Sequence, residues 1–469
     1  MRFSLLSATG LLSAVAVVLA IELPPGVPRS LEEFREKHPY VARSAQGKSG
    51  NYRRVVTIRS SEHVEDDVSA EFLDGIKEAN NGGLLHLQKG ELFVIGKPLD
   101  LTFLNDIDIR LDGEIRFTDD VPFWQANGYK HPFQSNLLFW KWGGKDIRIY
   151  GEGVLNGQGQ RWWEEFSDLG IPADNNYTYA RPILFYVQNS TNVNIEGIHF
   201  KDSPIWHQLI EGTTGIHYRD VVCTAHSKNA SVHPANSDFF DSQNIRDLIV
   251  ERAWVDVGDD CFSPKSNATN VYVNQMYCNG SHGQSIGSLG EDVGVGSYVE
   301  DVVIENVWML NGQHGGRIKV WAGPTAGHGY VKNVTFRNFW NANNEYVGFL
   351  DSCYWKIDAE TCLKHPSRMN ISDVVFENFS GYTSGKNGRV IARFTCSTSP
   401  DAVCDNIQMR NITVESPCDG PAIAICDGIS GWVGEDVPCY PSDSEEAKAA
   451  LADKCEGPRS DYTGKPWES

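Results

Sequence analysis

Asn236-Ser237-Asp238, Asp259-Asp260, Ser281-His282-Gly283 and Arg317-Ile318-Lys319 are the segments of this chain whose side chains could do chemistry together. Three carboxylates, one imidazole and two fixed cations are the parts needed to hydrolyse a glycosidic bond in an acidic sugar. Inverting hydrolysis needs a protonated carboxyl for the leaving oxygen and a carboxylate about 6.5–9.5 Å away to activate water, whereas a retaining pair sits about 5–5.5 Å apart. Clustered carboxylates cannot all ionise cheaply, so one is expected to keep a proton and act as the acid. His282 could bond to that acid or to the substrate. Arg317 and Lys319 alternate, so they share one face of a strand, where a guanidinium and an ammonium could clamp a uronate carboxylate. Any one of these features has an ordinary explanation: an Asp-Asp is commonly a solvated turn, a histidine in a glycine-rich run a surface residue, and alternating cations a solvated strand edge. Their common register makes them a candidate site.

Asp238 and Asp259 are 21 positions apart, and Asp260 and His282 are 22 apart, which suggests one group per turn of a repeating coil. The coil is visible as a nine-residue pattern: Asn, Asp or Gly, then apolar residues at the second, fourth and seventh places. It reads DIRIYGEGV from 146, NVNIEGIHF from 192, GIHYRDVVC from 215, DLIVERAWV from 247 and NVYVNQMYC from 270. DVVIENVWM from 301, NVTFRNFWN from 333, DVVFENFSG from 373 and NIQMRNITV from 406 continue it. Alternation within each half predicts strand, and the polar pair between the halves predicts a bend. The recurrence predicts an all-β, single-domain right-handed parallel β-helix, with coils about 4.8 Å apart. Hairpin turns every 8–12 residues, four-stranded blades and a Leu-x-x-Leu-x-Leu frame are not found, which argues against a sandwich, a propeller and leucine-rich repeats. Adjacent coils would bring Asp238 and the Asp259-Asp260 pair within range of each other. For both residues of the pair to face a cleft they must sit at a bend, which Gly258 would ease. Tyr354, 35 positions past Lys319, falls about one coil further on and could give a substrate hydrogen bond.

The expected division is a signal peptide at 1–20, an irregular lead-in at 21–50, the β-helix at 51–440 and a tail at 441–469. Helical patterns at 30–38 and 444–455 could cap the ends. Two aromatic-rich stretches break the repeat: 118–142, with Phe123, Trp124, Tyr129, Phe133, Phe139, Trp140 and Trp142, and 156–182, with Trp162, Trp163, Phe166, Tyr177 and Tyr179. Both read as long loops over the cleft, whose rings could either stack on sugars or cover the solenoid.

Residues 1–20, with Arg2, an apolar run from Leu5 to Leu19 and Ala20, read as a secretory signal too short to span a membrane. Nine sequons fit that route: Asn176, Asn189, Asn229, Asn267, Asn279, Asn333, Asn370, Asn378 and Asn411. A glycan at Asn279 could wall the cleft. Eleven cysteines in an oxidising compartment predict disulfides Cys261–Cys278, Cys353–Cys362 and Cys396–Cys404. Cys418, Cys426, Cys439 and Cys455 form two more in open pairing, and Cys223 is left free and buried. No zinc-type spacing is present, and no metal or cofactor is expected. The formal net charge of −20 argues against nucleic-acid binding and, with glycans, for a monomer; it would also repel a polyanion, so an acidic substrate needs local cations.

NSDFFD, VGDDCFSPKS, CNGSHGQSIGSLG and GGRIKVW resemble, in order and spacing, the four signature segments of the polygalacturonases, glycoside hydrolase family 28. The resemblance runs from about residue 100 to about 430. It implies a right-handed parallel β-helix that hydrolyses pectin backbones with inversion. It implies Asp259 as general acid, Asp238 and Asp260 as the pair that activates water, His282 in support, and Arg317, Lys319 and Tyr354 on the substrate. Ser237 stands where the family more often has Thr, which keeps a hydroxyl. Ser281 stands where chain-internal cutters usually carry Gly. Ser281-His282-Gly283, RIKVW and the later SCY and PSRMNISDVVFENFSG look like the fungal exo-acting branch, which frees galacturonic acid from non-reducing ends. Exo enzymes on rhamnogalacturonan or xylogalacturonan, an endo-polygalacturonase and, in another class, a calcium-dependent pectate lyase are the alternatives.

Overall fold

A computed structural model describes residues 28, 30–39, 41, 52–169, 179–354, 357–434 and 436–457. The predicted signal segment, most of the lead-in, Asn176 and Tyr177 lie outside them. The chain winds as a right-handed parallel β-helix from Arg54–Val56 to Cys439–Tyr440, as its repeat predicts. Apolar second and fourth places stack coil on coil: Ile147, Val193, Ile216, Leu248, Val271, Val302, Val334, Val374 and Ile407 form one ladder in register. These side chains belong to one continuous core running from Val56 to Val437.

The polar places make the corners. The first residue of each nonapeptide, from Asp146 through Asn192, Gly215 and Asp247 to Asn406, has a left-handed backbone, which Asn, Asp and Gly tolerate best. The second member of each polar pair does the same, as in Asp220, Arg252, Asn306, Asn338, Asn378 and Asn411. Their carboxamides bond down the stack: Asn270 donates to Asp247 at 2.6 Å, Asn333 to Asp301 at 2.7 Å and Asn411 to Asn378 at 2.6 Å. Several predicted sequons are thus corner asparagines.

Each complete coil has one long bent strand, such as Ile245–Asp256 or Ala268–Asn279, and one short strand on a third face. Gln284–Leu289, His314–Trp321, Tyr346–Tyr354, Val390–Thr395 and Ile423–Asp427 stack there as a separate parallel sheet, which Cys439–Tyr440 completes. The turns that enter this face carry the candidate site.

Two expectations need correction. The helix Leu31–Lys37 does not cap an end; Leu31 and Phe34 lie on the flank of the solenoid among Val222, Trp254 and Tyr277. The N-terminal opening of the core is covered instead by Ser69–Ala79, which buries Phe72, Ile76 and Ala79. That segment has helical spacing but holds Gly75, where any Cβ would meet Ile58 at 2.5 Å. The second helix, Glu445–Ala452, packs Ala447 and Ala450 against Val390, Ile423 and Ile425 in the last coils. The aromatic stretches are mostly core rather than cleft lining: Trp124, Phe139, Trp140, Trp142, Trp162 and Trp163 are buried within the hydrophobic cluster. Each stretch also folds a short helix, Val121–Asn127 and Gly159–Asp168.

All three predicted disulfides are formed, the open pairing resolves as Cys418–Cys455 and Cys426–Cys439, and Cys223 is free and buried. Cys261–Cys278 ties the turn bearing Asp260 to the strand that leads into His282.

Candidate active site

Three turns, stacked one above another, and the strands His314–Trp321 and Tyr346–Tyr354 build the site. The Ser237 hydroxyl donates to the Pro234 carbonyl and accepts from the Gly258 amide at 2.9 Å, which joins the turn of Asp238 to that of Asp259. Gly258 is needed for close approach, since a Cβ there would meet the Pro234 oxygen at 2.6 Å. Ser281 does the equivalent work one coil on: its hydroxyl accepts from the Cys261 amide at 3.0 Å and the Gly283 amide at 2.9 Å. Backbone bonds from Phe239 to Asp260 and from His282 to Asp259 complete the stack.

Asp238, Asp259, His282, Arg317, Lys319 and Tyr354 all line one cavity of about 310 Å³, with Gln134, Trp206, Lys265, Gln313 and Trp321 among the other lining residues. Asp259, His282, Asn236 and Gln313 also line a second recess of about 480 Å³, so Asp259 stands at the waist between two hollows. His282 Nδ1 lies 2.9 Å from Asp259 Oδ1, and Asn236 donates to Asp259 Oδ2 at 3.5 Å. The turn brings Asp259 and Asp260 to the same side, with the Asp260 amide bonded to Asp259 Oδ1. Tyr354 sits opposite Trp321, its ring 5.6 Å from both the Arg317 guanidinium and the Lys319 ammonium.

Asp260 differs from its neighbours. It is fully buried behind the cavity wall, and its carboxylate is held by Lys319 Nζ at 2.5 Å, Ser285 Oγ at 2.8 Å and Arg317 Nη1 at 3.6 Å. The two cations therefore have a protein carboxylate on one side and the cavity on the other.

Charge is shared unevenly. Burial, with the Asp259 and Asp241 carboxylates adding to it, pushes the Asp238 carboxyl well above its usual range. Burial pushes Asp259 the same way, but His282, Lys319 and Arg317 more than offset it and hold this group ionised. Asp260 is likewise lowered, burial being outweighed by Lys319 and Arg317. For His282, burial is outweighed by Asp259 and Asp260, and the imidazolium is favoured. Of the three carboxyls, Asp238 is thus the one whose surroundings favour the protonated form, while those of Asp259 favour the carboxylate, the reverse of what the acid role requires.

Sequence reasoning missed Asp241, Lys265, Asn236 and Arg181. The first three lie inside the segments already singled out, and Lys265 keeps step with Ser263 along a third-face strand. Arg181 carried no local signal: it is buried, lies 4.0 Å over Phe166, and donates to the Ala235 carbonyl at 2.8 Å and the Asn236 side chain at 2.7 Å. Ligand atoms of Asp259, Asp260 and His282 lie within 4.8 Å of one another. A divalent ion there would meet the Arg317 and Lys319 charges already seated on Asp260.

The solenoid agrees with comparison to known proteins. The family model for glycosyl hydrolases family 28 matches residues 93–437, and the chain belongs to that family; it is a glycoside hydrolase. It is 46% identical to a probable exopolygalacturonase B of Neosartorya fischeri, over 85% of this chain and 87% of that one. It is 50% identical to a probable exopolygalacturonase B of Aspergillus fumigatus, over 82% and 84%. Among solved structures it resembles an endo-xylogalacturonan hydrolase from Aspergillus tubingensis, with a TM-score of 0.73 and 26% identity over 82% of this chain and 99% of that one.

Proposed function

We propose that this chain is a secreted, exo-acting pectin hydrolase that releases galacturonic acid from non-reducing ends of α-1,4-polygalacturonate with inversion. The observation that carries the reading is one cavity where Asp238 and Asp259 share a wall with Arg317 and Lys319. The exopolygalacturonase relatives support the same substrate class. In this reading Asp259 gives its proton to the leaving oxygen, and Asp238, backed by Asp260, activates water. A uronate at Arg317 and Lys319 weakens the two cations' hold on Asp259, whose proton affinity then rises so that it takes the proton Asp238 gives up, leaving Asp238 as the carboxylate that activates water. Gln134 lines the cavity and donates to Glu291 at 3.3 Å, a bridge between distant loops that would restrict longer chains if it closes one end of the cleft, as exo action requires.

Polygalacturonate should therefore yield monomer from the outset with little early loss of viscosity; rapid thinning with mixed oligomers would overturn the exo assignment. Likeness to the xylogalacturonan hydrolase keeps one sibling reading open, and faster release from xylose-substituted galacturonan than from the bare chain would favour it. Calcium-dependent lyase chemistry predicts loss of activity in a chelator and an ultraviolet-absorbing product, and the hydrolytic reading predicts neither. Among the described residues no helix is long and apolar enough to cross a membrane, which is compatible with secretion.

Arg317→Ala should raise KM for galacturonate oligomers about tenfold or more, as expected on losing a charge-assisted clamp of about 1.5–3 kcal/mol, with a smaller effect on kcat. Equal losses on a neutral substrate would remove the clamp role. Glycan occupancy should also follow burial. Asn279 is 7% exposed, donates to Asp256 and accepts from Asn311, so glycopeptide mass spectrometry should find it bare, while exposed Asn229 is modified. A glycan at Asn279 in the folded protein would contradict this packing.

A further inference from the structure

Behind Asp238 lies a second charged pair that the mechanism above does not use. Asp241, on the third-face strand Asp241–Gln243, is fully buried, and neither of its oxygens accepts a well-aligned hydrogen bond among the described residues. The charge that compensates it is the Lys265 ammonium, 2.8 Å from Oδ1. Lys265 is itself buried, yet it lines the cavity. Its ammonium is fixed by Ser263 Oγ at 2.6 Å and by the Gly287 carbonyl at 3.3 Å, and it lies 5.7 Å from the Trp206 ring. Gly287 is the register partner of Lys319, so the three positions follow one another across the face. A buried lysine kept charged in a wall beside the reacting carboxylates must shape their field, since charges a few ångströms apart interact strongly where water is scarce.

We propose that the Asp241–Lys265 ion pair is a positioning element of the active site, which sets the field in which Asp238 and Asp260 ionise and so decides where the cluster keeps its proton. The inference rests on the reading of Asp238 and Asp260 as the water-activating pair. Facing the pair are Asp238, Asp260 and Lys319, with Asp259 and Arg317 beyond Asp260, and Glu291 from the turn after Gln284–Leu289. The two members pull in opposite directions: Lys265 favours the ionised forms of Asp238 and Asp260, and Asp241 opposes ionisation of Asp238. Asp241 itself is pushed up to about 6, burial outweighing the lysine.

The test is the pH dependence of kcat/KM on galacturonate oligomers. Lys265→Met removes a positive charge, so the profile should move to higher pH by about one unit. Asp241→Asn removes the negative charge that Asp241 carries above about pH 6 and should move that part of the profile to lower pH. Lys265→Arg keeps the charge and should return the profile toward that of the natural protein. A pair that only fills space would lower stability in both variants and leave both profiles in place, which would overturn the inference. Should Lys265→Met not fold, the isosteric Asp241→Asn carries the test alone, and a profile that does not move down refutes the role. Natural protein that releases no galacturonate would refute the functional reading and this inference with it; an active protein with unmoved profiles refutes the inference alone.

Discussion

Replacing Asp259 with Asn should cut kcat by about 10²–10⁴, the usual worth of a positioned general acid, while leaving the fold and substrate binding largely intact. The carboxylate stands at the waist between the two recesses, and of the three clustered carboxyls it is the one that lines both. Asn fills the same volume and keeps the contact with Asn236, but it cannot supply a proton. His282 would lose the anion that favours its charged form, and its pKa should fall toward the ordinary value. Steady-state kinetics with binding of a substrate oligomer measured separately decides the matter: unchanged turnover would remove Asp259 from the mechanism.

Lys319→Met is the second large effect, and it strikes stability as well as activity. Asp260 is fully buried, and Lys319 is its nearest cation. Removing one partner of a buried pair costs about 3–5 kcal/mol, because the other charge is left uncompensated. The sign of the pH dependence follows. In the natural protein Asp260 has a lowered pKa, so its contribution is present above the unfolded value and lost as pH falls. In the variant the orphaned carboxylate titrates above its unfolded value, so the penalty is largest at neutral pH and fades as acid protonates it. Denaturant unfolding at pH 7 and pH 4 should show the gap between the two proteins narrowing on acidification. A gap that does not change with pH would mean that Asp260 is not the cause. Asp238 and Asp241, both raised by burial, act oppositely in the natural protein, stabilising it below their unfolded values and losing that contribution as pH rises through the folded ones.

Much of this was legible in the chain because the β-helix repeats its physics. Asn, Asp or Gly recurs wherever the backbone turns left-handed, and apolar places two and four recur because each coil must cover the last. The same regularity placed Asp238, Asp259, His282, Arg317, Lys319 and Tyr354 on one wall, and close cysteine pairs followed from short separations. Other features depended on depth, which spacing does not encode. Trp140 and Trp163 bury as much area in a core as on a sugar, so composition alone could not choose between the two. Asp260 is adjacent to Asp259 in sequence, yet burial puts it behind the wall. Burial of Asp238 beside Asp259 and Asp241 favours its protonated form, since the charges around each carboxyl differ although the residue type does not. Lys265 and Arg181 went unread because their partners, Asp241 and Asn236, lie 24 and 55 positions away and meet them only after the coils stack.

The most direct test of the account is proton NMR of the first products from trigalacturonate. Hydrolysis at the non-reducing end with water arriving opposite the leaving oxygen predicts digalacturonate and free galacturonic acid, the freed sugar first seen as the β-anomer. An initial α-anomer would contradict inversion, unsaturated sugar would contradict hydrolysis, and internal cleavage of longer oligomers without early monomer would contradict action at the chain end.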